Sequence, residues 1–353
     1  MENNEKVSST QMVFLFIITI SVTDFLFIAS LAATYAAQDA WISVGVGGTL
    51  LGLLAAFIYT RLGLCYPDKS LVEYAPKIIG KFGGKLIGLL YILFFAHLGA
   101  MKIRELAEYM IVLFFPETPK MIFSVIVVML GAYATFNGIE VLCRVTQLLF
   151  PFLITAFVFV TLIFYPEGKA YNLLPIMENG VKPIVLGALY PGMLRMDIIL
   201  ILMFLPYINQ PRETGRTLII TNILAGFLLT MSSIVNIAVL GPILAKNLVR
   251  FMEQLEPLVL IIFIAGYVIK VSAFYLATVL GTAQWVNLKN CRPLVTPIGI
   301  LILVYSLILY ENTSHMTAFY ITSLIPYAYT FKLIIPTVLL IVVLIRKKAG
   351  QKY

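Results

Sequence analysis

The chain is poor in charge, cysteine and histidine, and each shortage excludes a class of function. Only 12% of its 353 residues are charged, 61% are hydrophobic, and the mean hydropathy is +0.97. This balance leaves too little polar surface to coat a soluble globule. The three cysteines show no close pairing, and the two histidines lack acidic or cysteine neighbours at metal-ligand spacing. We therefore expect free thiols, and neither a metal nor another cofactor.

Motifs for bond chemistry are also missing. The sequence contains no G-x-x-x-x-G-K-[ST] phosphate loop and no G-x-S-x-G nucleophile elbow. Its net charge of +8 comes from basic residues scattered over short loops, so no nucleic-acid partner is expected. These absences predict a protein that binds or translocates and is not an enzyme.

Long apolar runs are what the chain has in abundance. A bilayer core about 30 Å thick is crossed by roughly 20 apolar helical residues, and a helix there satisfies its own backbone hydrogen bonds. About ten such runs predict an all-α polytopic membrane protein, with residues 1–353 forming a single transmembrane domain. The predicted spans, numbered first to tenth, are Met12–Ala33, Trp41–Leu64, Leu86–Phe114, Met121–Phe136, Gln147–Phe164, Pro183–Leu205, Thr217–Leu240, Leu258–Trp285, Thr296–Tyr310 and Phe331–Ile345.

The loop charges and the number of spans predict a topology. Most loop lysines and arginines lie on the side of the N-terminus, so the positive-inside rule favours cytoplasmic N- and C-termini. Ten spans divide into two groups of five, at about residues 11–165 and 182–346. An odd number of spans in each half inverts the second half, which predicts two inverted five-helix repeats.

Two ionisable residues inside predicted spans are the first candidates for a site, because charge within a bilayer is costly. Lys270 lies near the middle of the eighth span, with no carboxylate within four residues on its helix. Asp24 lies in the middle of the first span and could neutralise a buried cation, including Lys270. Two structural alternatives stay open: Lys270 bonded to carbonyls of a broken helix, and Asp24 capping a half-helix or lying near a membrane face.

The sixth span is predicted to be a broken helix. It contains Pro191 and Gly192, followed by Arg195 and Asp197. Proline removes a backbone donor and glycine tolerates unwinding, so backbone groups are freed to face a cavity. The alternative is a simple proline kink, with Arg195 and Asp197 forming an ordinary pair at the membrane interface.

The third span ends in a run of mixed charge. We interpret this run as a solvated helix face that has left the membrane, since its charges can pair one turn apart. The alternative is a channel lining. The run consists of Lys102, Arg104, Glu105 and Glu108.

Several short motifs resemble the B subunits of spore germinant receptors. They are Gln38–Ser43, Ser70–Tyr74 followed by Ile79–Lys81, Asn137–Val141 with Arg144, Pro119, and Lys270. The resemblance covers essentially the whole chain. It implies the endospore germination permease family, within the amino acid, polyamine and organocation transporter superfamily, and hence a LeuT-like inverted-repeat fold. It also implies the spore inner membrane, A and C partner subunits, and a small germinant such as an amino acid or a sugar.

Three functions follow from these observations and from the resemblance. The leading one is a receptor subunit that binds a germinant between the first, third, sixth and eighth helices, with Lys270 as a fixed charge at a cation site. A proton-coupled amino acid permease, with Lys270 titrating in each cycle, is the second. A scaffold without its own ligand is the third, and it is favoured by the absence of the family's usual glycine and proline from Ser21–Ala33. The predicted ligand site consists of Thr23, Asp24, Tyr190, Pro191 and Gly192.

Overall fold

A computed structural model describes residues 5–22, 25, 28–163, 168–244 and 256–348, and nearly all of them are helical. The α-helices are α1 Ser9–Ile17, α2 Ile28–Ala36, α3 Ala40–Ile42, α4 Gly48–Gly63, α5 Leu71–Ile79, α6 Lys81–Leu113, α7 Lys120–Ile163, α8 Val181–Arg195, α9 Ile201–Phe204, α10 Thr214–Leu244, α11 Glu256–Trp285, α12 Arg292–Ile308, α13 Thr313–Thr322, α14 Leu324–Tyr329 and α15 Ile335–Lys348. Short π-helical and 3₁₀ stretches join several of them into longer rods.

The long apolar helices account for the predicted spans once two of them are divided. Lys120–Leu162 has 43 residues, which at about 1.5 Å per residue is twice the thickness of a bilayer core. It bends at Gly138, whose φ of 89° is left-handed, and this divides it into the fourth and fifth spans. Ile28–Gly63 is likewise interrupted by the 3₁₀ turn Ala37–Asp39, where Ala37 has a left-handed φ of 48°. The prediction of an all-α protein with about ten membrane spans is confirmed.

The first span is interrupted although it contains neither glycine nor proline. α1 continues as a π-helical turn to Val22, the helix resumes at Ile28, and Phe25 lies in a turn between them. Contacts from other spans hold this turn. The ring of Phe25 packs edge-on against Phe157, with centroids 4.9 Å apart, and Ser232 donates a hydrogen bond to its carbonyl at 3.3 Å. Tertiary packing therefore supplies the break that the local sequence does not indicate.

The sixth and eighth spans lie at the centre of the described fold. In their apolar segments 94% and 83% of residues are buried, compared with 28% for Lys120–Leu162. The ninth span bends by 99° between Arg292–Ile308 and Thr313–Tyr320. The tenth span begins at Leu324, seven residues before the predicted start at Phe331. This earlier start moves Lys332 about two turns into the helix.

Helix α5 packs closely on the start of the third span. Its N-terminus is closed by a capping box between Ser70 and Glu73. At its other end Gly84 of α6 lies directly against Pro76, so that a Cβ on Gly84 would be 2.1 Å from the Pro76 Cα. The neighbouring Gly83 has space, because a Cβ there would lie 3.5 Å from Ile79 Cδ1.

Gly84→Ala is therefore expected to lower the thermal stability of the protein in detergent by about 1–3 kcal/mol, because backbone atoms must move to admit the methyl group. Gly83→Ala is the matched control on the same helix. It should be neutral or stabilising by up to about 1 kcal/mol, since alanine favours helix more than glycine does. Equal unfolding temperatures for the two variants would contradict this packing.

Candidate functional site

The sixth span changes its helical form next to the predicted break. α8 contains Pro191 and ends at Arg195, a 3₁₀ stretch follows over Met196–Leu200, and α9 then continues the span. A 3₁₀ stretch within a longer helix often marks a functional hinge. Asp197 lies on the first turn of this stretch. The span is thus distorted, and its distortion begins one turn after the Pro191–Gly192 pair.

Asp197 is shared by two buried lysines from different spans. Its Oδ1 accepts a hydrogen bond from Lys332 Nζ at 2.5 Å, and its Oδ2 lies 3.2 Å from Lys270 Nζ. The relative exposures of Asp197, Lys270 and Lys332 are 2%, 0% and 2%. Charges so far from water persist when they are paired and hydrogen-bonded, and this carboxylate bonds the sixth, eighth and tenth spans together. We call these three residues the Asp197 triad.

The tenth span is also distorted where it meets the triad. Lys332 lies in a π-helical turn over Thr330–Ile334, and its Nζ also donates to the carbonyl of Met193 at 3.2 Å. Tyr59 donates to the carbonyl of Lys332, and Tyr91 to that of Phe331 at 2.7 Å. Backbone carbonyls that a regular helix would use internally thus accept bonds from side chains. π-helical turns of this kind occur frequently at functional sites.

A small cavity, with space for about one water molecule, lies beside Asp197 and Lys332 of the triad. Its walls come from the third, sixth, eighth and tenth spans. Most of the lining is apolar, with a few polar groups. The lining residues are Leu98, Met101, Lys102, Tyr190, Met193, Leu194, Asp197, Phe274, Leu324 and Lys332.

The predicted ligand residues have different positions relative to this cavity. Tyr190 lines it. Pro191 packs on the second span, where a Cβ on Gly48 would lie 2.9 Å from Pro191 Cβ. Gly192 also packs away from the cavity, because a Cβ there would lie 2.5 Å from Leu51 Cδ1.

The two ligand residues predicted on the first span, Thr23 and Asp24, lie outside the described residues. The pairing of Asp24 with Lys270 therefore stays a prediction. The described neighbours on both sides, Ser21 and Phe25, are buried. Within the described ranges, no group of three His, Cys, Asp or Glu residues could hold a metal ion.

Arg195 and Asp197 do not form the interfacial pair that was the alternative to a broken helix. Arg195 is fully buried and donates to the carbonyls of Val44 at 2.8 Å and Asn222 at 3.2 Å. It thus connects the sixth span to the second and seventh spans. The second span can approach Arg195 this closely because residue 48 is glycine. A Cβ on Gly48 would lie 3.0 Å from the Arg195 Nε.

The interpretation of the third-span charges as a solvated helix face is wrong. All four residues are at most 4% exposed, because the bent ninth span covers them. Lys102 Nζ lies 2.7 Å from Glu105 Oε2, and Tyr320 donates to the same oxygen at 2.7 Å. Because positive and negative residues alternate along the helix, each charged side chain can pair with an opposite charge inside the protein and does not need water.

The outer turn of the same helix completes this network. Arg104 Nε lies 2.8 Å from Glu108 Oε1, and Lys120 Nζ lies 2.6 Å from the same oxygen. Thr313 at the start of α13 donates to Glu108 Oε2 at 3.0 Å. The network therefore attaches α13 to the third span, and its inner end, Lys102, reaches the cavity.

A family profile described as spore germination protein matches residues 6–316. The chain belongs to the spore germination protein family. It is 28% identical over 336 residues to spore germination protein KB of Bacillus subtilis (strain 168), a match that covers 90% of each chain. It is 27% identical over 221 residues to spore germination protein XB of Bacillus anthracis, covering 60% of this chain and 59% of the relative. The resemblance inferred from the short motifs is confirmed.

Solved transporters share the fold. MhsT, solved in complex with L-phenylalanine, superposes with a TM-score of 0.71 at 11% identity, over 96% of this chain and 99% of its own. A nucleobase-cation-symport-1 family transporter gives a TM-score of 0.69 at 12% identity, covering 92% and 76% of the two chains. Identities this low show the fold alone, and that fold is the predicted LeuT-like one. Family and fold are those of membrane transporters and receptors.

Sequence reasoning identified Lys270 and missed the residues that contact it. Asp197 was recognised only as half of an interfacial pair, and Lys332 fell at the edge of the predicted tenth span. The available signal was the apolar stretch from Leu324, which has the length of a membrane span and would have placed Lys332 inside the helix. No pattern in the sequence pairs residues 135 positions apart.

Proposed function

We propose that the chain is the B subunit of a spore germinant receptor, which binds a small germinant at the place of this small cavity and signals with A and C partner subunits in the spore inner membrane. In this proposal one membrane domain is formed by two repeats, at about residues 11–165 and 182–346. Tyr190 contacts the ligand from the sixth span, with Pro191 and Gly192 shaping the distorted helix behind it. Thr23 and Asp24 complete the site from the first span.

The Asp197 triad is the observation that carries the proposal. It lies at the cavity wall and connects three spans through one carboxylate. A ligand that contacts Asp197 or Lys332 changes how strongly the sixth span is held to the eighth and tenth. Binding energy that differs between two arrangements shifts their populations, and a receptor requires nothing more. Lys270, wholly buried behind Asp197, acts in this proposal as a fixed cation that stabilises one arrangement.

A proton-coupled amino acid permease is the second candidate. Two observations favour it: the buried lysines share a carboxylate, and the fold matches that of solved transporters, one of which was solved with an amino acid. In this function Lys270 would release and regain a proton in each cycle. A permease must alternate access across the membrane, whereas a receptor need only shift a population.

The third candidate, a scaffold without a ligand, loses the argument that favoured it. The first span is interrupted at Phe25, which lies in a turn, although glycine and proline are absent from the span.

Uptake and binding of a labelled panel of amino acids and sugars distinguishes the three functions. The purified chain is reconstituted in liposomes with an imposed pH gradient, and binding is measured in parallel. Saturable binding without accumulation supports the receptor, and accumulation driven by the gradient supports the permease. Tyr190→Ala should weaken binding, while Tyr171→Ala, at a tyrosine 66% exposed, serves as the control. If the native chain shows no binding and no uptake, both the receptor and the permease function are contradicted.

Cytoplasmic N- and C-termini are part of the proposal, and Cys65 tests them. Cys65, just after the second span, is exposed, while Cys143 and Cys291 are buried. A membrane-impermeant maleimide should therefore label inside-out vesicles and leave right-side-out vesicles unlabelled, with Cys65→Ser as the control. Partial burial raises the pKa of the Cys65 thiol, so labelling should accelerate about tenfold per pH unit through neutral pH. Labelling of right-side-out vesicles would contradict the orientation.

A further inference from the structure

Basic side chains crowd together where α5 meets the ends of the second and tenth spans. Arg346 Nη1 donates to the carbonyl of Lys77 at 3.3 Å, which brings the end of the tenth span onto α5. The Cys65 thiol donates to the carbonyl of Arg61 at 3.2 Å, and Lys347 lies near enough to act electrostatically on the same thiol. We call this surface the basic patch, and it consists of Arg61, Lys69, Lys77, Arg346 and Lys347.

The arrangement within the basic patch places like charges against each other. The ammonium group of Lys69 lies close enough to Lys77 to lower the pKa of Lys77, while Glu73, one turn earlier on α5, acts on it in the opposite direction. The acidic residues on the same stretch are Asp68 and Glu73. Glu73 accepts a hydrogen bond from the Ser70 backbone N–H at 2.9 Å in the capping box. The five basic residues outnumber these two acidic ones, so the surface keeps a positive charge that attracts anions.

The basic patch lies at the edge of the lipid-facing surface. The guanidinium of Arg61 sits over the ring of Phe57 at 5.3 Å, and that ring is 56% exposed on an apolar span. On the tenth span Ile345, directly before Arg346, is 62% exposed. Apolar surface that contacts acyl chains therefore runs into the basic groups from two spans. This is the geometry of a phospholipid, with a charged headgroup above two hydrocarbon chains.

We propose that the basic patch binds the phosphate headgroup of an anionic phospholipid, whose acyl chains lie along the exposed apolar faces of the second and tenth spans. A soluble acidic peptide would meet the charges and leave the adjoining apolar faces unused. The site is separate from the cavity, because Arg346 lies 14 residues beyond Lys332, or about 21 Å along a helix. A bound headgroup connects α5 to the span that carries Lys332.

The test uses the whole purified chain in neutral detergent, titrated with short-chain phosphatidylglycerol or phosphatidylcholine while the unfolding temperature is followed. Phosphatidylglycerol should raise this temperature saturably, and phosphatidylcholine should not. Lys69→Gln/Lys77→Gln should weaken the phosphatidylglycerol effect roughly 30-fold, since each basic residue near an anionic lipid surface contributes about a fivefold factor. The matched control, Lys169→Gln/Lys182→Gln, removes the same charge from two exposed lysines elsewhere and should behave as the native chain.

Several outcomes would overturn the proposal. Equal stabilisation by both lipids would show that the headgroup charge is irrelevant. Equal losses in the two double variants would reduce the effect to net charge. Stabilisation by inorganic phosphate at the same concentration as the lipid would assign the surface to a soluble anion, and stabilisation by an acidic peptide but not by phosphatidylglycerol would assign it to a protein partner.

Discussion

Asp197→Asn is expected to destabilise the protein by about 3–5 kcal/mol, measured as a lower unfolding temperature in detergent. The substitution keeps the shape of the side chain and removes its charge. Lys332 then loses its 2.5 Å partner and Lys270 loses the carboxylate at 3.2 Å, while both ammonium groups stay out of contact with water. Breaking a buried pair from one side is costly because the remaining charge is not compensated.

Two variants separate this explanation from a general effect of mutation. Asp68→Asn removes a carboxylate at an exposed position and should leave the unfolding temperature unchanged. Asp197→Asn/Lys332→Met removes one of the uncompensated charges and should recover part of the lost stability. A double variant as unstable as the sum of the two single changes would show that Asp197 and Lys332 are not coupled.

Lys270→Ala is expected to abolish the germinant response of spores while the protein is still inserted in the membrane. Asp197 keeps its hydrogen bond from Lys332, so the loss of stability should be smaller than in Asp197→Asn. What disappears is the ammonium group that joins the eighth span to the sixth. Without it, the arrangement that a ligand selects no longer has its electrostatic support.

The companion variant Lys270→Met separates charge from packing, because methionine fills most of the same space without an ammonium group. It should lose the response as completely as Lys270→Ala does. Lys289→Ala, at an exposed lysine beyond the eighth span, is the control and should respond normally. A normal response from Lys270→Ala would remove Lys270 from the mechanism. Retained binding with uptake that no longer follows the pH gradient would favour the permease.

The buried lysine could be recognised from sequence, but its partners could not. An ammonium in the middle of an apolar span is costly wherever it points, so Lys270 stands out without structural information. Its pairing with Asp197 depends on how two helices are rotated about their axes, and hydropathy says little about rotation when a helix is apolar all round. Lys332 could be recognised as a charge inside the tenth span only because the structure shows that this span starts at Leu324.

The charges of the third span also could not be assigned from sequence alone. Their pattern suggested exposure to water, and the structure buries them. A run of alternating charge has one appearance in sequence whether it faces water or other charges. The bent ninth span decides between them, because it brings Thr313 and Tyr320 over Glu108 and Glu105. The chain between Ile308 and Thr313 contains neither glycine nor proline, and Asn312, which caps the next helix, indicates a helix start but not the 99° angle.

The sequence by itself determined that this protein is helical, crosses a membrane about ten times and belongs to the spore germination family, because apolar length and short motifs are local properties. Tertiary structure decided where the first span breaks, which carboxylate holds Lys270, and that the charges of the third span are buried. Each of these depends on contacts between residues far apart in the chain. Such contacts form only when the rotation and depth of every helix are fixed together by packing.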